Sequence, residues 1–170
     1  MKRVIYCFLV LLLCPALICG CHGKPPDRRA CFSQPFAAEI NGELNGVAFT
    51  AKITGGGKDG EYAIQYLTPD ILSQTELRVH LGTDGTPSGE ARITRGELTL
   101  TQNAEDLRGL LLPLSTLLLL TQTEPATVQK DNDGYTFTFP DSQTLSVTDI
   151  GIPRALTAPN VTYQIVWWEQ

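Results

Sequence analysis

The chain has 170 residues, 42% hydrophobic and 18% charged, with a formal net charge of −5. That is an ordinary globular composition with room for one domain and a real core. It offers no basic face to neutralise phosphates, which excludes nucleic acid, and its two histidines, His22 and His80, are too few for a histidine metal site or a catalytic triad.

Lys2 and Arg3 precede an apolar run from Val4 to Leu17, the layout of a secretory signal, so residues 1–20 stand outside the domain. Ile18, Cys19, Gly20 and Cys21 then resemble a bacterial lipobox. The resemblance implies cleavage between Gly20 and Cys21, a diacylglycerol thioether on Cys21, and a protein held at the outer face of the cell membrane. Two acyl chains, at roughly 0.8 kcal/mol per buried methylene, anchor firmly where one is marginal. An ordinary cleaved signal and a single amino-terminal membrane anchor are the competing readings. Cys7, Cys14 and Cys19 leave with the signal and Cys21 takes the lipid, so Cys31 remains alone. Without lipidation, a Cys21–Cys31 bridge is expected in an oxidising compartment.

Residues 21–35 read as a lipidated tether. Lys24, Arg28 and Arg29 stand against Asp27, and Pro25, Pro26 and Pro35 keep the chain extended. From Phe36 onward there are eight basic and seventeen acidic residues. A basic tether is drawn to an anionic bilayer and an acidic body is repelled, which predicts a stand-off of roughly 20 Å for a flexible chain of this length; the competing reading is that these are merely solvated charges.

The domain, residues 36–170, opens with alternation. Phe36, Ala38 and Ile40 oppose Glu39 and Asn41; after an Asn45-Gly46 turn, Val47, Phe49, Ala51 and Ile53 oppose Ala48, Thr50, Lys52 and Thr54. The loop Gly55–Gly60 formally matches a dinucleotide-binding fingerprint. A phosphate-cradling loop must lead into a helix, however, and here a strand with Tyr62, Ile64 and Tyr66 on one face follows. A turn at Leu67–Leu72 leads to a strand with Leu77, Val79 and Leu81 inward and His80 outward. Glu90–Thr94 and Glu97–Thr101, hinged near Gly96, come next.

Leu107–Leu120 reads LRGLLLPLSTLLLL. Wound at 3.6 residues per turn, Leu107, Leu110, Leu111, Leu114, Leu117 and Leu118 form a core-facing stripe, with Leu112 and Leu119 on the opposite side. Asn103 caps the start, Glu105 and Asp106 complement the dipole, and Pro125 ends it. Pro113 removes a hydrogen bond and biases Leu112 away from helical angles, predicting one kinked helix or a second helix beginning there. The run is too short and too interrupted for a membrane span of about 20 apolar residues.

Beyond Pro125, Val128 leads to Asp131-Asn132-Asp133-Gly134, a hairpin signal that lacks the later ligands of a calcium loop. Tyr135, Phe137 and Phe139 form a strand face, Leu145 and Val147 another, and Val161, Tyr163, Ile165 and Trp167 the last, with Trp168 pointing the other way. The reading totals eight or nine antiparallel strands with one helical interruption. A sheet of that size must curl or be covered, and the helix can cover it.

Phe49-Thr-Ala-Lys-Ile, Tyr62-Ala-Ile-Gln-Tyr-Leu-Thr-Pro69 with Leu72, the leucine helix and Asp149-x-Gly151-x-Pro153-Arg154-x-Leu156 resemble uncharacterised Gram-positive, clostridial-type lipoproteins related to the LolA/LolB lipoprotein-carrier fold. The resemblance implies a mainly β, α+β fold: a curved antiparallel half-barrel wrapped on the leucine-rich helix. It also implies a concave face able to hold an acyl chain.

Two functions follow. In one, the concave face binds an apolar ligand, with Leu112, Leu119 and Trp168 as candidate contacts. In the other, the domain is a membrane-tethered scaffold in an envelope or spore-related complex, binding through an edge strand or patch. No glycine-flanked serine elbow and no paired nucleophile and base are present, so neither an enzyme nor a cofactor or metal is expected.

Overall fold

The computed structural model describes residues 24–56, 60–82 and 84–170. Signal cleavage at Gly20–Cys21 and lipidation of Cys21 lie outside the described residues.

Among the described residues, eleven strands form one antiparallel, curved and unclosed sheet. The first six, β1 (Phe36–Leu44), β2 (Val47–Gly55), β3 (Glu61–Thr68), β4 (Thr75–Leu81), β5 (Pro87–Arg95) and β6 (Leu98–Asn103), run as a meander. The helix α1 (Arg108–Gln122) follows, and β7 (Thr127–Asp131), β8 (Gly134–Thr138), β9 (Thr144–Val147), β10 (Pro153–Ala158) and β11 (Val161–Glu169) make a second meander. The two meet where β11 pairs with β1, in the order β6-β5-β4-β3-β2-β1-β11-β10-β9-β8-β7. Sequence-adjacent β6 and β7 are therefore opposite edges, and α1 carries the chain from one to the other. The half-barrel wrapped on a helix is as expected; the strands exceed the expected eight or nine, chiefly because β10 carries no clear alternation.

Local chemistry accounts for the hairpins. Asn45 and Gly46 have φ of 52° and 77°, the two left-handed residues of a tight hairpin whose twist matches its strands. Across the sheet, Ala38, Ile53, Ile64 and Leu77 pair in a row and are all buried on the helix side. Gly42 lies between Phe49 and Tyr163 on neighbouring strands. A Cβ there would stand 2.0 Å from the Thr162 carbonyl oxygen, so only glycine lets β11 approach this closely. The Phe49 and Tyr163 rings meet edge-on, with centroids 6.5 Å apart.

α1 packs its leucines on the concave face. Leu111, Leu114, Leu117 and Leu118 are buried as the stripe predicts, and so is Leu120, which the stripe omits. Leu110 is only partly buried. Asn103 accepts the Glu105 backbone N–H at 3.0 Å, as a cap should, but it caps a one-turn 3-10 helix at Ala104–Leu107 that precedes α1. The junction falls at Leu107 and α1 runs unbroken through Pro113. Two buried tyrosines hold the helix beside the missing Pro113 N–H: Tyr66 donates to the Leu110 carbonyl at 2.6 Å and Tyr163 to the Pro113 carbonyl at 2.9 Å.

Two further expectations are corrected. A bulge in the β1–β11 ladder pairs Ile40 with Ile165 but Glu39 with Trp167 and Ala38 with Trp168. The extra residue shifts the alternation by one, so Trp167 is 48% exposed and Trp168 turns inward, stacked on Phe36 at 4.6 Å. The second correction concerns residues 27–32, which are docked rather than extended. Cys31 and Phe32 are buried in a 3-10 turn, and Arg28 lies over Phe137 at 4.7 Å.

Candidate functional site

Leucines fill the concave face, and among the described residues clefts open at both ends of the helix, where it parts from the sheet. An apolar opening lies at the amino-terminal end of α1. It is a cleft of about 420 Å³ walled by Leu44, Val47 and Phe49 from the first hairpin, by Pro69, Ile71 and Leu72 from the β3–β4 turn, and by Leu107, Gly109 and Leu110 from the helix start. Its rim is greasy: Ile71 is 76% exposed and Val47 54%. Tyr66 also lines it, but its hydroxyl is committed to the Leu110 carbonyl and burial pushes its pKa upward. Most of the lining is apolar, and Asn45 and Asp106 are the polar residues beside Tyr66.

Leu112 and Leu119, the candidate contacts from the helix pattern, do not reach this cleft. They line a separate one of about 320 Å³ with Asp84, Thr86, Arg108 and Ser115, where the β4–β5 loop crosses the helix. Gly85 makes that crossing possible, since a Cβ on it would lie 2.2 Å from the Ser115 carbonyl oxygen. Asp84 is exposed and accepts the Thr86 N–H at 3.0 Å, a hydrogen bond that holds its carboxyl below the usual range. This mixed lining suits a polar loop contact better than an alkyl chain.

Trp168 belongs to neither cleft. It packs with Phe32 and Phe36. The three residues named from sequence therefore do not form one site. Those of the first cleft were missed because they come from a hairpin tip, a turn and a helix start, where periodicity says nothing about what meets in space.

At the other end of the helix, the Arg28 guanidinium donates to the Leu120 carbonyl at 2.7 Å and the Thr123 carbonyl at 3.0 Å, closing the helix carboxyl terminus. Desolvation lowers its pKa, opposed first by nearby Glu124. Burial pushes the Cys31 thiol up to about 12, so it is an inert, packed thiol. Among the described residues no cluster of three metal-binding side chains occurs, and no helix is long and apolar enough to cross a membrane.

No protein-family model matches the chain, and no curated protein matches it. Among solved structures, an uncharacterised conserved protein of Thermus thermophilus aligns with a TM-score of 0.52 at 10% identity, over 85% of this chain and 83% of that one. A candidate outer membrane lipoprotein-sorting protein domain from Vibrio parahaemolyticus aligns less closely, with a TM-score of 0.40 at 11% identity, over 79% and 71%. The first likeness establishes a shared fold and nothing about activity.

Proposed function

We propose that this protein is a membrane-anchored half-barrel, lipidated at Cys21, that binds an apolar ligand such as an acyl chain in the cleft at the amino-terminal end of α1. The observation that carries the reading is the cleft itself. Its volume of about 420 Å³ is in the range of small-molecule sites, and its walls are apolar side chains from three separate elements. Its one buried hydroxyl, on Tyr66, is already bonded. Placing the ligand here moves the contacts from Leu112, Leu119 and Trp168 to Leu72, Leu107 and Leu110.

Gly109 provides the test. It lines the cleft, and a Cβ built on it meets nothing within 4 Å, so a larger side chain projects into open space. Replacing a helical glycine also favours the helix by up to about 1 kcal/mol. A fluorescent fatty acid should bind the purified protein saturably, and Gly109→Phe should weaken binding at least tenfold while thermal stability holds or rises. Leu119→Glu, in the other cleft, should leave binding unchanged. Undiminished binding by Gly109→Phe, or loss with Leu119→Glu alone, would place the ligand elsewhere; no saturable binding by the folded protein would sink the reading.

A further inference from the structure

The two edges of the sheet are not alike. β7 reads Thr-Val-Gln-Lys-Asp, with Lys130 and Asp131 as the charges that commonly discourage pairing on an edge. β6 reads Leu-Thr-Leu-Thr-Gln-Asn, with no charge and no proline, and every residue in it is exposed. Leu98 and Leu100 are 61% and 53% exposed. They are not scattered surface leucines. Leu100 pairs with Ile93, Ile93 with Leu77 and Leu77 with Ile64, so Leu100 is the uncovered end of an apolar row that crosses the sheet from its core.

The ladder fixes which groups are free. β5 and β6 are joined by the two residues Gly96 and Glu97, with Arg95 and Leu98 as the closing pair. Bonding alternates along an antiparallel pair, so Leu98, Leu100 and Gln102 bond to β5 while Thr99, Thr101 and Asn103 direct N–H and C=O groups outward.

Charge on the opposite face of the sheet narrows the partner. Arg92 on β5 stands beside Thr101 on one side and directly opposite Arg78 on the other. Arg78 is ion-paired with Glu76, but Arg92 is exposed and, among the described residues, has no carboxylate partner. Like charges paired across strands are destabilising, and Glu76 answers only Arg78. A strand added to β6 would lie about 10 Å from β5, at about 4.8 Å per strand, with only the short Thr101 side chain between Arg92 and its outer face.

We infer that β6 is a strand-addition site for an extended polypeptide segment in which apolar residues alternate with acidic ones. The apolar residues extend the Leu100 row, the backbone meets Thr99 and Thr101, and a carboxylate meets Arg92. The site is independent of the cleft at the helix start.

The test uses the full chain in mild detergent and two synthetic octapeptides, one alternating valine with glutamate and one valine with lysine, read by amide hydrogen exchange. The glutamate peptide should slow exchange at Thr99 and Thr101 at least tenfold, bind at least tenfold more tightly than the lysine peptide, and lose that preference in Arg92→Gln. Thr101→Pro removes an outward N–H and should abolish binding while Leu100 stays protected by β5; should that variant not fold, Arg92→Gln still decides. Equal binding of the two peptides, no protection by either, or protection that rises with protein concentration alone, as a second copy would produce, overturns the inference.

Discussion

Tyr163 on β11 donates its hydroxyl proton to the carbonyl of Pro113, 2.9 Å away in the middle of α1. The bond joins the centre of the sheet to the helix beside the position where proline removes an N–H. Tyr163→Phe keeps the ring and deletes the bond, and should lower the unfolding free energy by about 1 kcal/mol, as for a typical hydrogen bond. Urea denaturation checks this, with a shifted midpoint and an unchanged slope as the expected result.

Alkaline pH should act on the same link. Burial raises the pKa of Tyr163 and Tyr66 above the ordinary 10.0, and that of Cys31 from 9.0 to about 12. Each group keeps its proton in the fold after the unfolded chain has lost it, so stability is full below pH 9 and falls as pH rises. The loss begins near pH 9 for Cys31, levelling off near 12, and near pH 10 for the tyrosines. Each titrating group adds a slope of about 1.4 kcal/mol per pH unit. Denaturant midpoints between pH 8 and 11 should show this decline, with a shallower fall in Tyr163→Phe.

Arg28 ties the segment before β1 to the end of the helix through two carbonyls and the faces of Phe137 and Phe139. Arg28→Gln should cost about 1.5–3 kcal/mol, the range for hydrogen bonds involving a charged donor. Limited proteolysis should then cut near residues 27–32, which the intact protein protects.

Gly85 has φ of 76° and no room for a Cβ against Ser115. Gly85→Ala combines backbone strain with a clash and should destabilise by more than about 1 kcal/mol. Thermal unfolding should show it, whereas Gly109→Ala, in open space, should be neutral or stabilising.

Much of the architecture was legible in the residues. Period-two alternation identified β1 to β4, Asn45-Gly46 marked its turn, and the leucine spacing named four of the buried helix residues. What failed did so for identifiable reasons. One bulged residue in β11 exchanged the roles of Trp167 and Trp168, and no alternation pattern reveals a bulge. Proline-rich residues 24–35 look like a tether in composition, yet Arg28 finds carbonyls more than ninety residues away. The apolar cleft was illegible because it is made by the ends of elements, and Leu112 and Leu119, correctly placed away from the core stripe, face a different loop.

The most direct test of the account is to locate the ligand. A fatty acid carrying a nitroxide near its methyl end, added to isotopically labelled protein, broadens the amide resonances closest to it. Broadening is expected at Leu72, Leu107 and Leu110, with none at Leu119 or Trp168, and it should disappear in Gly109→Phe. Broadening centred on Leu119, or spread evenly over the surface, would contradict that placement.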